Sequence, residues 1–132
     1  MKTLRINTAK PKEVVDITEV VRRELKALGT TDGVCHLFVK HTTAALSTAD
    51  LDPGTDVDML DAFREMIPRL RYRHPHDPSH VADHILSSLI GPSLTVPVEG
   101  SELSLGTWQR IVLLEFDGPR VRELVMALVA ES

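Results

Sequence analysis

Four of the six histidines fall in one stretch, RYRHPHDPSHVADH, from Arg71 to His84. Neutral imidazole offers a nitrogen lone pair for a transition metal, and it titrates close enough to neutrality to act as an acid or base. His80 and His84 are four residues apart, so a helix would put them on nearly one face. Without the glutamate of an H-E-x-x-H motif that spacing is a weak metal signal. His84 borders an apolar stripe (Val81, Ile85), whereas His80 sits in the first turn and is expected to face solvent. His74 follows Tyr72 in a loop that can deliver it to a pocket, and His76, after Pro75, is expected to be solvent-facing.

The remaining two histidines, His36 and His41, lie within the run GVCHLFVKHTT. Counting by twos along a strand puts Cys35, Leu37, Val39 and His41 on one face and Val34, His36, Phe38 and Lys40 on the other. His41 is therefore expected at the inward-facing end. On a second strand, Trp108 to Phe116, one face carries Gln109, Ile111, Leu113 and Glu115. Spacing thus nominates His41, His74 and His84 as a triad, with Glu115 as a carboxylate partner.

The run GTWQ, Gly106 to Gln109, is the other cluster with chemical content. Its glycine lets backbone approach a ligand, and Trp108 either stacks on a flat ring or anchors a core with few aromatics. No G-x-S-x-G, P-loop or G-x-G-x-x-G motif occurs. The arginine groups Arg69, Arg71 and Arg73, and Arg110, Arg120 and Arg122, read as solvated faces. Any phosphate recognition must be local, because the net charge of −4 offers no general attraction to nucleic acid or anionic lipid.

The elements that must position these residues follow from periodicity. Two short strands, Leu4 to Thr8 and Val14 to Ile17, precede a helix capped by Asp16 or Thr18, which carries Ile17, Val21 and Leu25 and closes at Gly29. Gly33 to Lys40 is a strand, and the Thr-rich run His41 to Thr48 is expected to continue it. A turn over Asp50 to Asp56 leads into a helix bearing Met59, Phe63 and Ile67 that ends at Pro68. Asp77 and Pro78 are expected to open a helix over His80 and His84 that runs to Gly91. Leu94 to Val98 is a strand at an edge or bulge because of Pro97. The C-terminal run RVRELVMALVA is ambiguous: its period fits a helix, while the preceding FDGPR turn suits a hairpin partner.

With 132 residues, 42% of them hydrophobic, the chain suits one domain over residues 1–132. A single cysteine, Cys35, excludes an internal disulfide and reads as a small buried residue. No apolar run approaches membrane-spanning length, so a cytoplasmic protein without membrane or nucleic-acid partners is expected.

HTTAAL (His41 to Leu46), YRH (Tyr72 to His74), HILSSLIGPSLTVPV (His84 to Val98) and LGTWQRIVLLEFDGPR (Leu105 to Arg120) together resemble the secondary thiamine-phosphate synthase, or YjbQ-like, family. The resemblance spans nearly the whole chain. It implies an α+β fold, a two-sheet mixed or antiparallel β-sandwich flanked by helices, assembled as a homotrimer. It also implies that the C-terminal run is a strand. Three histidines of the family pattern fall on His41, His74 and His84, which implies a divalent metal, zinc by ligand type, on those residues. An Asn-Glu-Asn triplet usual in the family is replaced here by the region Thr48 to Asp52.

The implied reaction joins a pyrimidine diphosphate to a thiazole phosphate and releases pyrophosphate. His41, His84 and Glu115 are its catalytic candidates. Thr42, Arg73, Trp108, Gln109 and Arg120 are candidates for binding a small, phosphorylated heterocyclic substrate. Magnesium would be the natural ion for diphosphate chemistry, in tension with three histidines. The alternatives are a metal-dependent hydrolase and a non-enzymatic trimeric module that binds a metal or metabolite.

Overall fold

The computed structural model describes residues 1–29, 31–74 and 78–131. The expectations for His76 and for Asp77 as a helix cap lie outside these residues. Among the described residues, eight strands form two sheets. The larger, ordered β1-β8-β3-β5-β6, uses β1 (Lys2–Asn7), β3 (Gly33–Val39), β5 (Ser93–Glu99), β6 (Glu102–Leu103) and β8 (Val121–Ala130). The smaller, ordered β2-β7-β4, uses β2 (Glu13–Asp16), β4 (Ala44–Ala49) and β7 (Arg110–Glu115). Every pairing among the described residues is antiparallel, the second of the two arrangements that the family resemblance implied.

Alternation on β7 explains the layering. Ile111 and Leu113 point into the core between the sheets, where they meet Leu4, Leu37, Leu46 and Met126. Val112, Leu114 and Phe116 point the other way, onto Phe63 of α2 (Thr55–Met66) and Leu86 of α3 (Val81–Ile90). A strand buried on both faces must be apolar throughout, as this one is. α1 (Thr18–Leu28) contributes Val21 and Leu25 to the first core and ends at Gly29 with φ 71°, the left-handed cap the sequence suggested. The N-cap position falls on Ile17 rather than on Asp16 or Thr18 as expected, while Asp16 Oδ1 accepts hydrogen bonds from the Thr18 N–H and Oγ1 at 3.0 and 2.6 Å just before the helix.

The C-terminal run is a strand, as the family resemblance implied against its helical period, and it pairs with β1 and β3 in the other sheet rather than as a hairpin with β7. Its outer face also carries valines (Val121, Val125, Val129), which hides the period of two from a pattern search. Two further expectations are corrected. The segment after β3 leaves the sheet at Lys40 and re-enters as β4 in the smaller sheet, so His41 lies on a crossing rather than within a continuous strand. His80 ends a 3-10 turn, Pro78–His80, and only His84 is on the helix.

The deepest polar contact ties the two sheets together. Glu115, the last residue of β7, is 0% exposed, and Arg122, on the inward face of β8, is 1% exposed. Arg122 Nε donates to Glu115 Oε1 and Oε2 at 2.9 and 3.1 Å, and a second guanidinium nitrogen donates to Oε2. That second nitrogen also reaches the Thr43 carbonyl and hydroxyl at 3.1 and 2.9 Å. Thr8 Oγ1 donates to Glu115 Oε1 at 2.6 Å, and the Asp117 N–H donates to Oε2 at 3.2 Å. The expectation of a solvated Arg122 fails because the alternation of β8 turns it inward beside Leu124 and Met126.

Removing one partner of a buried pair leaves an uncompensated charge in the core. Arg122→Met is therefore expected to cost about 3–5 kcal/mol in urea unfolding, and the double variant Glu115→Leu/Arg122→Met less than the two single losses combined. A loss below about 1 kcal/mol for Arg122→Met, the scale of a surface pair, would contradict this role.

Candidate functional site

Three of the crossings between the sheets, β1–β2 at Thr8, β3–β4 at Thr43 and β7–β8 at Asp117, meet at one end of the sandwich, and an open cleft of about 520 Å³ lies there. Lys40, His41, Thr42 and Thr43 come from the β3–β4 crossing, and Asp117 and Arg120 from the β7–β8 crossing. His74, His80 and His84 come from the α3 side, and Arg122 from the floor. α3 is held in place by Ser87 Oγ, which donates to the Ala44 carbonyl at 2.7 Å, and by the Leu46 N–H, which donates to the Gly91 carbonyl at 3.1 Å. Those contacts set His84, one turn earlier, against the crossing.

The structure thus brings His41, His74 and His84 to one cleft. The rings of His74 and His84 stack with centroids 5.1 Å apart and planes 18° from parallel. His41 is placed differently: the Glu123 backbone N–H donates to its Nε2 at 2.9 Å. Nε2 is then the unprotonated nitrogen with its lone pair engaged, and Nδ1 carries the proton. Burial, reinforced by the positive charge of Arg122, holds the His41 pKa below its ordinary value against the opposing pull of Glu115 and Glu123. His41 is a neutral hydrogen-bond donor in this arrangement, with no lone pair for a metal. Nor do the three rings form a compact donor set. Among the described residues, the group of three His, Cys, Asp or Glu donor atoms lying within 4.8 Å of one another is His80, Asp83 and Asp117.

Glu115 is corrected as a catalytic or ligand carboxylate. Burial alone would raise its pKa, but hydrogen bonds from Arg122, Thr8 and the Asp117 N–H, with the Arg122 charge, hold it below the usual value. A buried, ionised carboxylate saturated by donors positions Arg122 and neither reaches substrate nor takes a proton. Thr42 and Arg120 line the cleft, and Arg73 is exposed beside His74. Arg120 is itself held, its Nε donating to the Asp117 carbonyl at 2.8 Å and a terminal nitrogen to Asp117 Oδ2 at 3.0 Å.

Trp108 and Gln109 are not in this cleft. They precede β7 and so lie about 20 Å along the strand from Glu115, at roughly 3.3 Å per residue. Trp108 is 71% exposed, which overturns its reading as a core anchor. Gln109 Oε1 accepts from the Gly106 N–H at 2.8 Å, and its Nε2 donates to Thr48 Oγ1 at 3.3 Å, so it organises the turn. Asp50, where the family triplet is missing, accepts from the Asp52 N–H at 2.8 Å and shapes the turn before α2.

Sequence reasoning missed Lys40, Thr43 and Asp117 as cleft residues and set aside His80, which also lines the cleft. Only the D-G turn signal at Asp117 pointed to a structured loop there. Asp83 is buried and paired with Lys12, whose Nζ lies 2.5 Å from Oδ1. Behind that pair, an apolar cavity of about 600 Å³ runs between α2 and α3 along Leu60, Phe63, Ile67 and Leu86. Its charged lining residues (Lys12, Asp61, Arg64, Arg69 and Asp83) include no histidine, and the imidazoles are gathered in the cleft instead.

The model of the family described as UPF0047 protein YjbQ-like matches residues 2–131. A UPF0047 protein of Mycobacterium tuberculosis is 42% identical over 121 residues, which cover 89% of this chain and 89% of that protein. The UPF0047 protein YugU of Bacillus subtilis is 42% identical over 123 residues, covering 92% and 93%. A crystal structure of a Clostridium acetobutylicum protein of the yjbq/upf0047 family superposes with a TM-score of 0.89 at 32% identity, over 98% of this chain and all of that one. One from Sulfolobus solfataricus, called a protein of unknown function, gives 0.91 at 31% identity over 98% and 96%.

The tautomer and burial of His41 make a prediction. Its ring protons should titrate in NMR with a midpoint below the ordinary 6.5. Because the unfolded chain then takes the proton first, stability should decline as pH falls from 6.5 toward that midpoint. A midpoint above 6.5 would contradict the hydrogen bond from Glu123.

Proposed function

This chain belongs to the UPF0047 YjbQ-like family, and on that premise we propose that the cleft binds a small phosphorylated heterocycle and serves a transfer in which diphosphate departs. The member of that class implied by the motif resemblance is thiamine-phosphate synthesis. In it a thiazole nitrogen forms a bond to the methylene carbon of a pyrimidine diphosphate. The C–O bond breaks, its electron pair leaves with pyrophosphate, and the thiazole becomes a thiazolium.

The observation that carries this reading is the meeting of cations and imidazoles in one cleft: Lys40 and Arg120 with His41, His74 and His84. Developing charge on a departing diphosphate is best stabilised by donors already in place. Lys40 and Arg120 supply charge, His41 an oriented N–H, and His84, stacked on His74, a proton for the leaving oxygen. Glu115 is left out of the chemistry, as are Trp108 and Gln109 within a single subunit.

The proposed working unit is a homotrimer in the cytoplasm. Support for assembly comes from the outer face of the larger sheet, where Phe38, Val121 and Val129 are 48%, 56% and 54% exposed. Large apolar side chains exposed along one sheet face are a feature of contact surfaces. Light scattering is expected to give three times the chain mass, and Phe38→Glu to lower it. A monomer at micromolar concentration would exclude the assembly.

Activity is tested by mixing the pyrimidine diphosphate and thiazole phosphate with purified protein and following pyrophosphate and coupled product. Release is expected only with both substrates, and His84→Ala is expected to lower kcat/KM at least about 100-fold, the scale of a lost general acid. Release from the pyrimidine diphosphate alone would favour hydrolysis instead. Absence of product, or full activity in His84→Ala, would overturn the reading.

A further inference from the structure

From the arrangement of His80, Asp83 and Asp117 we infer a divalent transition-metal site on the α3 side of the cleft, separate from the three histidines that sequence nominated. His80 Nδ1 lies 3.2 Å from Asp83 Oδ2 and 3.5 Å from Asp117 Oδ1. Donor atoms on a tetrahedral ion with bonds near 2.1 Å are separated by about 3.4 Å, so these gaps suit one ion bound to all three. The three donors come from separate places: the 3-10 turn, the first turn of α3 and the β7–β8 crossing.

The second observation concerns the carboxylate oxygens that do not face His80. Asp83 Oδ1 is held by Lys12 Nζ at 2.5 Å, and Asp117 Oδ2 by Arg120 at 3.0 Å. Each carboxylate is thus fixed by a cation on one oxygen and presents the other to the same point. Outer partners that orient ligating carboxylates in this way are a regular feature of metal sites. Asp83 is 5% exposed, so its orientation is set by packing as well as by charge.

The donor set narrows the class of ion. One imidazole and two carboxylates suit zinc, manganese or iron(II), and three protein ligands leave a further position for water or a substrate oxygen. Lys12 and Arg120 offset the two carboxylate charges, so the site gains most from an anionic fourth ligand. A phosphate oxygen in the cleft beside Lys40 would provide one. The site does not depend on the transfer reaction proposed above, because binding of the ion is read without any substrate.

Zn2+ calorimetry and the visible bands of Co2+ on the full chain test the assignment. One ion per chain is expected, with the intense absorption of a low-coordinate Co2+ complex. His80→Ala and Asp117→Asn should each weaken Zn2+ binding at least about tenfold, while His84→Ala leaves it within about threefold. Asp117→Asn keeps an oxygen able to accept from Arg120, and circular dichroism of each variant confirms the fold. The inference is overturned if the wild-type chain binds no ion. It is equally overturned if binding is lost in His84→Ala but persists in folded His80→Ala and Asp117→Asn.

Discussion

The buried ion pair between Glu115 and Arg122 is the contact on which the rest of this molecule depends. Two β-sheets that share no strand must be held in register by side chains, and apolar packing alone is permissive about sliding. Here a carboxylate from β7 meets a guanidinium from β8 with several hydrogen bonds, and Thr8 and Thr43 close the network from the other two crossings. Each crossing is thereby tied to the same point. Two buried charges are costly to desolvate, so the pair supplies little net stability over an apolar replacement. What it supplies is geometry, since the donors and acceptors fit one arrangement of three loops.

That geometry makes the cleft possible. A gathering of three crossings leaves backbone polar groups at the end of a sandwich, and the network satisfies them. The Phe116 N–H donates to the Thr43 carbonyl at 3.1 Å, the Thr8 N–H to the Arg120 carbonyl at 2.9 Å, and the Gly118 N–H to the Pro11 carbonyl at 3.0 Å. A Cβ on Gly118 would lie 2.3 Å from the Lys10 carbonyl oxygen, so only glycine allows these two crossings to touch. Arg122 then forms the floor, and its charge, after burial itself, keeps His41 neutral.

Much of this was legible in the sequence. The period of two in GVCHLFV placed Cys35, Leu37 and Val39 inward, and all three are buried. Burial pushes the Cys35 thiol up to about 11, in keeping with a packed residue rather than a reactive one. The gathering of His41, His74 and His84 in one cleft was likewise foreshadowed by face and position. Burial of charge was not legible, because it depends on partners far along the chain. Glu115 and Thr8 are 107 residues apart, and nothing local distinguishes Arg122 from the exposed Arg120 two positions earlier. Periodicity also failed on β8, where both faces are apolar. Trp108 misled for the opposite reason: a large aromatic in a polar turn looks like an anchor until its exposure is known.

The cleft divides its charges unevenly, which the net charge of the chain conceals. Lys40 and the Arg122 floor lie with the β3–β4 crossing, while Asp83 and Asp117 converge on His80 at the other side. Arg120 stands between them, exposed toward the cleft yet bonded twice to Asp117. An anion drawn to Arg120 therefore meets a side chain whose orientation is fixed by the same carboxylate that faces His80. The anion-binding and cation-binding parts of the cleft share that one contact. Because a free arginine must lose considerable side-chain entropy on binding, holding Arg120 in advance lowers the cost of recognising phosphate. The chain's acidic balance then works in favour of selectivity: with little general attraction for polyanions, only a ligand small enough to reach the local cations is retained.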